Sequence, residues 1–298
     1  MKKTTYTTSL NEAAGVNDAR KGYVDAFADN LIGWGGITAE STHLDVPCGT
    51  GNMVERMREK GKIGMAYLSD INPAMLDAAQ QAVPDRARYV LADAADIGTV
   101  MPEQVDSITS LNGFHIYIDE KDAFLGGCHD ILKPGGRLIF DVSTMGLDND
   151  SRRLLERHDA LMRDGAARLG SEAHLPVHAD QPLLDSYADM AQSHGLTLVG
   201  KHVTEKFIDY AKFEESTVKI PGRLRPRFPQ LDDEQRMELF LNASRQAQAE
   251  TGVTSVLHSR AFFVLEKALR RSRACTPAEA QVRPPRGGGS AGPLIAAA

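Results

Sequence analysis

The run His43-Leu44-Asp45-Val46-Pro47-Cys48-Gly49-Thr50-Gly51-Asn52 carries a short apolar strand into a glycine turn and then into a helix start. Glycines at 49 and 51 permit a tight turn and let backbone N–H groups approach a ligand with no Cβ in the way, and the helix start behind them favours negative groups. Nicotinamide and flavin proteins hold pyrophosphate with a related strand, turn and helix, so the glycines alone leave the ligand open. Two details narrow the choice. The third glycine of a G-x-G-x-x-G fingerprint falls at Val54, whose branched side chain would crowd helix against strand or pyrophosphate. Asp45 ends the strand, where a carboxylate suits a cationic ligand and repels phosphates.

A second carboxylate, Asp70, ends the next strand about 20 residues beyond the turn, the interval at which an acid accepts ribose hydroxyls. Each residue also has a plainer role open to it. Gly49 and Gly51 can be ordinary turn glycines, Asp70 can cap the helix that begins at Pro73, Asp93 can be solvated like its neighbour Asp96, and Cys48 suits simple packing.

Taken together, these residues resemble the class I (Rossmann-like) S-adenosylmethionine-dependent methyltransferase family, of small-molecule type. The resemblance covers roughly Thr42 to Leu265. It implies that Asp45, Pro47, Gly49 and Gly51 surround the methionine part of S-adenosylmethionine, and that Asp70, with Ile71 beside it, takes the ribose. Ala92-Asp93-Ala94 matches the adenine-edge segment, with Asp93 as acceptor for the exocyclic amine, and Leu111-Asn112 lies beneath the cofactor. The run Leu132-Lys-Pro-Gly-Gly-Arg-Leu-Ile-Phe140 is similar to the family's turn into strand five. S-adenosylhomocysteine is the implied product.

Methyl transfer from a sulfonium is accelerated chiefly by lining up the nucleophile behind the methyl group. A phenol or an unactivated carbon also gains from a positioned base, whereas a neutral amine often needs none. His115 is the first candidate base, in Asn112-Gly-Phe-His115-Ile-Tyr117 after strand four, and Tyr117 and Asp141 come next; a satisfied structural histidine is the competing reading. In Lys219-Ile-Pro-Gly-Arg223-Leu-Arg225-Pro-Arg227, Arg223 and Arg225 can fork a carboxylate or phosphate on the substrate, against a solvated loop as the alternative. His158, His174 and His178 raise a metal site, but Pro176 between the last two argues against a helical pair, and no metal is expected. No Asn/Asp-Pro-Pro-Tyr/Phe sequence follows strand four, which is the family's signature for planar amino groups. What remains is a small-molecule acceptor methylated at carbon, oxygen or nitrogen.

The elements that must position these groups alternate. Strands are expected at Thr42–Val46, Ile63–Ser69, Ala87–Leu91, Val105–Leu111, Arg137–Val142, Leu196–Ile208 and Ser255–Leu265, with helices between most of them. Repeated βαβ units predict an α/β fold, a doubly wound, seven-stranded, mostly parallel sheet with helices on both faces. Residues 1–41 form an N-terminal helical cap segment, 42–270 the domain, with helical cap insertions at about 143–180 and 209–252, and 271–298 a Pro/Gly/Arg-rich tail expected to be disordered. Ligands bind outside the carboxyl ends of the strands in such sheets, so both insertions belong over the site.

The 298 residues are 42% hydrophobic and 25% charged, with a net charge of -6 and no basic stripe, which argues against a nucleic-acid partner. Cys48, Cys128 and Cys275 are too scattered for a disulfide framework, and no segment reads as a signal peptide or membrane span. A cytoplasmic protein is expected, without a membrane partner and with a homodimer left open. The competing functions are an NAD(P)-dependent oxidoreductase, which Val54 and Asp45 disfavour, a nucleic-acid methyltransferase, and a non-catalytic cofactor-binding protein.

Overall fold

A computed structural model describes residues 18–115, 118–175, 181–218 and 224–269. The first helix, α1 (Asp18–Gly35), leads to β1 (Thr42–Asp45), α2 (Asn52–Glu59), β2 (Met65–Asp70), α3 (Pro73–Ala82) and β3 (Ala87–Leu91). A 3-10 turn at Ala94–Asp96 and the short α4 (Ile97–Val100) precede β4 (Val105–Ser110), α5 (Lys121–Ile131) and β5 (Leu132–Met145). Then come α6 (Asn149–Arg168), α7 (Gln181–Ser193), β6 (Leu196–Asp209), α8 (Tyr210–Val218), α9 (Asp233–Thr251) and β7 (Ser255–Lys267).

The strands form one seven-stranded sheet in the order β3-β2-β1-β4-β5-β7-β6. The first five pair in parallel, while β7 runs antiparallel to both β5 and β6. Side chains alternate between the faces. Leu44, Tyr67, Ile108 and Phe140 pack under α4, α5 and α7, whereas Ala66, Leu68, Ile139 and Val264 pack under α1, α2 and α3. Both faces are therefore covered, as the sequence predicts.

A third apolar cluster lies apart from these two. Leu154, Leu155 and Met162 of α6 meet Leu239, Phe240 and Ala243 of α9, with Tyr210 and Phe228 fully buried between the elements. Asp148 caps α6, and Asp232 and Gln235 form a reciprocal capping box on α9. This helical layer follows the carboxyl ends of β5 and β6, whose last residues pair with the start of β7 through Met145↔His258 and Asp209↔Ser255.

Several boundaries differ from the sequence reading. Lys133 to Gly136 do not separate helix from strand but belong to β5, as an irregularity between the pairs Val105↔Leu132 and Ser107↔Arg137. Gly135, at φ +79, supplies the left-handed residue this bulge needs. Strand β5 runs to Met145, past the expected start of the first insertion, and the second insertion opens with α8 directly after β6. The expected tail at 271–298, residues 1–17, Tyr117, Pro176, His178, Arg223 and Cys275 lie outside the described residues.

Helices α4 and α5 approach as closely as glycine allows. A Cβ on Gly98 would stand 2.7 Å from the Gly127 Cα, with backbone rather than a movable side chain in the way. Gly98→Ala is expected to cost roughly 1–3 kcal/mol in urea unfolding. Gly33→Ala, with nothing within 4 Å of the added carbon, is the matched control and should be neutral or stabilising.

Candidate active site

Strand β1 delivers Asp45 to the carboxyl edge of the sheet with its side chain buried. The Thr109 hydroxyl of β4 donates to Asp45 Oδ1 at 2.6 Å. Burial pushes the Asp45 carboxyl up to about 7; the Thr109 bond opposes that shift, and the charge of Asp70 adds to it. One turn of the pleat earlier, His43 is fully buried, with Nδ1 2.8 Å from the Ser107 hydroxyl and Nε2 3.0 Å from that of Thr109. Burial lowers this imidazole to about 3, so it is neutral at physiological pH.

The glycine turn is tied to β2. The Cys48 N–H donates to the Ser69 carbonyl at 2.8 Å, and the Gly49 N–H donates to Asp70 Oδ2 at 2.9 Å. The other oxygen, Oδ1, accepts the Asn72 N–H at 2.9 Å. Burial raises the Asp70 carboxyl, against these backbone bonds. Gly49 takes φ +52 facing open space, whereas Gly51, at φ +81, packs so tightly that a Cβ would lie 3.2 Å from the Ala79 Cβ. Asn72, not Asp70, caps α3, through the Ala74 N–H. Asp70 is thereby the clamp between the glycine turn and the β2 end.

The other predicted cofactor residues surround this clamp. The Ala92 N–H reaches the Asp70 carbonyl at 3.2 Å, and Ile71 is an exposed apolar side chain next to the acid. Asp93 Oδ1 accepts the Ala95 N–H at 3.2 Å, so the side chain caps the 3-10 turn that begins at Ala94. Pro47 presses against the turn after β4, where a Cβ on Gly113 would meet its Cδ at 2.3 Å. Leu111 packs on the cluster beneath α1, α2 and α3.

Asn112 follows at φ +53, its N–H donating to Asp141 Oδ1 at 2.6 Å and its Oδ1 accepting from Arg260 at 2.7 Å. Arg260 also donates to Asp141 Oδ2. The Asp141 side chain has 0% exposure, and its two oxygens accept from the Asn112 N–H and the Arg260 guanidinium. His115 is half-buried, with Nδ1 2.8 Å from the hydroxyl of Tyr187 on α7. Burial and then the Lys121 charge hold it below its usual range, so it is neutral near pH 7.

Arg225 lies in an ion pair. Its guanidinium is engaged by Asp233 through bonds of 3.1 and 2.8 Å, which pull that carboxyl down to about 2. A fork already matched to a carboxylate is a poor anion grip. His158 sits in the helical layer against Tyr210 and Phe240. Among the described residues no group of three or more His, Cys, Asp and Glu side chains is placed to hold a metal ion, and no helix is long and apolar enough to cross a membrane.

Sequence reasoning passed over His43, Ser107, Thr109 and Arg260. The first three had a signal: polar residues two apart in β1 and β4, strands that should be near-continuously apolar in a covered parallel sheet.

The chain has identifiable relatives. A family model for a methyltransferase domain matches residues 44–140. An uncharacterized methyltransferase of Geobacillus kaustophilus is 31% identical over 121 residues, which are 40% of this chain and 55% of that protein, so the match spans little more than half of it. The ubiquinone/menaquinone biosynthesis C-methyltransferase of Escherichia coli O1:K1 / APEC is 32% identical over 180 residues, 55% of this chain and 69% of that protein. Among solved structures, a candidate methyltransferase from Bacillus halodurans superposes with a TM-score of 0.56 at 16% identity, covering 82% of this chain and 99% of that one, which shows a shared fold. From the matched domain and the two relatives, on a sheet of that fold, the chain belongs to the class I S-adenosylmethionine-dependent methyltransferase family.

Proposed function

We propose that the protein transfers a methyl group from S-adenosylmethionine to a small-molecule acceptor, at carbon, oxygen or nitrogen. The observation that carries this reading is the pair of buried carboxylates, Asp45 and Asp70, on either side of the Gly49 to Gly51 turn. Their chemistry fits the cofactor. Asp45 offers a negative charge to an ammonium group, and each oxygen of Asp70, already holding one backbone N–H, has a further lone pair for a ribose hydroxyl. The glycines leave room for a ligand against the backbone, Ile71 provides an apolar wall for a base, and Asp93 stands at the matching edge.

When bound, the cofactor supplies an electrophilic methyl group. The chain's own part is to orient and to exclude water. His115, neutral and steadied by Tyr187, takes a proton where the acceptor must lose one. The helical layer of α6, α8 and α9 covers the carboxyl ends of the strands and selects the acceptor. The relative acting on carbon in ubiquinone/menaquinone biosynthesis supports a low-molecular-weight acceptor.

Calorimetry with S-adenosylhomocysteine and with NADH tests the cofactor, and methyl release across phenols, amines and isoprenoids tests the acceptor. Absence of heat with S-adenosylhomocysteine overturns the reading. Binding should also depend on pH, because the ammonium needs an ionised Asp45 and that carboxyl titrates near 7 in the free protein. Affinity is expected to be about tenfold weaker at pH 6 than at pH 8, with proton release on binding in the lower range.

A further inference from the structure

When Asp45 is ionised, as binding of an ammonium requires, the buried hydroxyls and imidazole behind it have one consistent hydrogen-bond direction. A threonine hydroxyl carries a single proton. That of Thr109 goes to Asp45 Oδ1, so toward His43 the same oxygen must accept, and Nε2 of His43 bears the hydrogen. Nδ1 then keeps its lone pair, and the Ser107 hydroxyl donates to it. Three side chains thus point their protons one way, along Ser107, His43, Thr109 and Asp45. The register makes this possible, because His43 pairs with Ser107 and Asp45 with Thr109 across β1 and β4, so all four share one face of the sheet.

A chain of this kind is a costly way to fill a core. Valine or isoleucine at 43, 107 and 109 would satisfy a covered parallel sheet without burying polar groups. What the polar version adds is direction. With the Thr109 oxygen accepting the His43 hydrogen, its own proton is directed at Asp45, so the ionised carboxylate faces a donor on one oxygen.

We propose that Thr109 and His43 are positioning residues for the amino-acid end of the cofactor: Thr109 donates to the Asp45 carboxylate and orients it toward the ammonium, and His43, fixed by Ser107, holds Thr109. The proposal rests on the methyltransferase reading above. It predicts selectivity between two ligands that differ only in the part Asp45 addresses, S-adenosylhomocysteine and 5′-methylthioadenosine, the second lacking the amino-acid end.

The test is calorimetry with both ligands on the full chain and its variants. Thr109→Val, of nearly the same shape, should weaken S-adenosylhomocysteine about 10- to 100-fold. The same variant should leave 5′-methylthioadenosine within about threefold, since hydrogen bonds not made cannot be lost. Thr109→Ser restores the donor and should restore the affinity. Ser107→Ala, at the far end of the chain and gentler on the core, should show a smaller loss with the same selectivity, which keeps the proposal exposed even where Thr109→Val fails to fold. Equal loss of both ligands, or loss of neither, overturns the proposal while leaving the cofactor assignment intact. Wild-type protein that binds neither ligand overturns both.

Discussion

Asp45→Asn is expected to weaken S-adenosylhomocysteine binding by about 100-fold, since a charge-assisted hydrogen bond is worth roughly 1.5–3 kcal/mol, and yet to raise the unfolding midpoint at pH 8. The two effects have one cause. A carboxyl that titrates near 7 in the folded chain, against its ordinary 3.8, takes up protons on folding. Its contribution is therefore neutral below about pH 4, grows more destabilising as pH rises toward 7, and is fully unfavourable above that, by roughly 4 kcal/mol. Asparagine keeps the oxygen that Thr109 addresses and removes the buried charge. Thermal unfolding of both proteins at pH 4 and pH 8 checks this: near-equal midpoints at the lower pH and a more stable variant at the higher one. A variant less stable at pH 8 would show that Asp45 is not the strained group its burial implies.

The sequence made the glycine turn and Asp45 legible because they are local: strand, turn and helix start occupy the ten consecutive residues from His43 to Asn52. Topology was legible for a related cause, since alternating apolar strands and amphipathic helices leave few ways to cover both faces of a sheet. The doublet Pro134-Gly135 has turn chemistry, and in the fold it bulges β5 rather than preceding it. A left-handed glycine can end a strand or bulge one, and only pairing with β4 decides.

Other residues could not be read from spacing. Arg225 looked like a free fork because its partner, Asp233, lies eight positions on, beyond a turn whose path the letters do not specify. Asp141 looked like a base at a strand end, and its true partner is 119 residues away on an antiparallel strand. His43 and Thr109 are a different case. Their period-two placement in apolar strands is visible in the sequence, and buried polar groups at facing positions must send their protons to one another.

Arg260→Met carries the largest expected loss of stability. The guanidinium lies in the same buried pocket as Asp141 and bonds both that carboxylate and the Asn112 side chain. Its removal strands a charge with no exposure, a loss of about 3–5 kcal/mol when one partner of a buried pair is deleted. The damage reaches the site, because Asn112 holds a left-handed conformation between Gly113, pressed on Pro47, and the strand that carries Thr109. Methyl transfer should therefore fall with stability, and more steeply than for Gly98→Ala, whose clash lies between α4 and α5. Adding Asp141→Asn to Arg260→Met separates the two contributions. The amide removes the stranded charge and still offers Oδ1 to the Asn112 N–H, so the double variant should recover much of the lost urea midpoint. If instead the double variant is no more stable than Arg260→Met alone, the pair matters through packing of the arginine stem rather than through charge, and the Asn112 turn is held by other contacts.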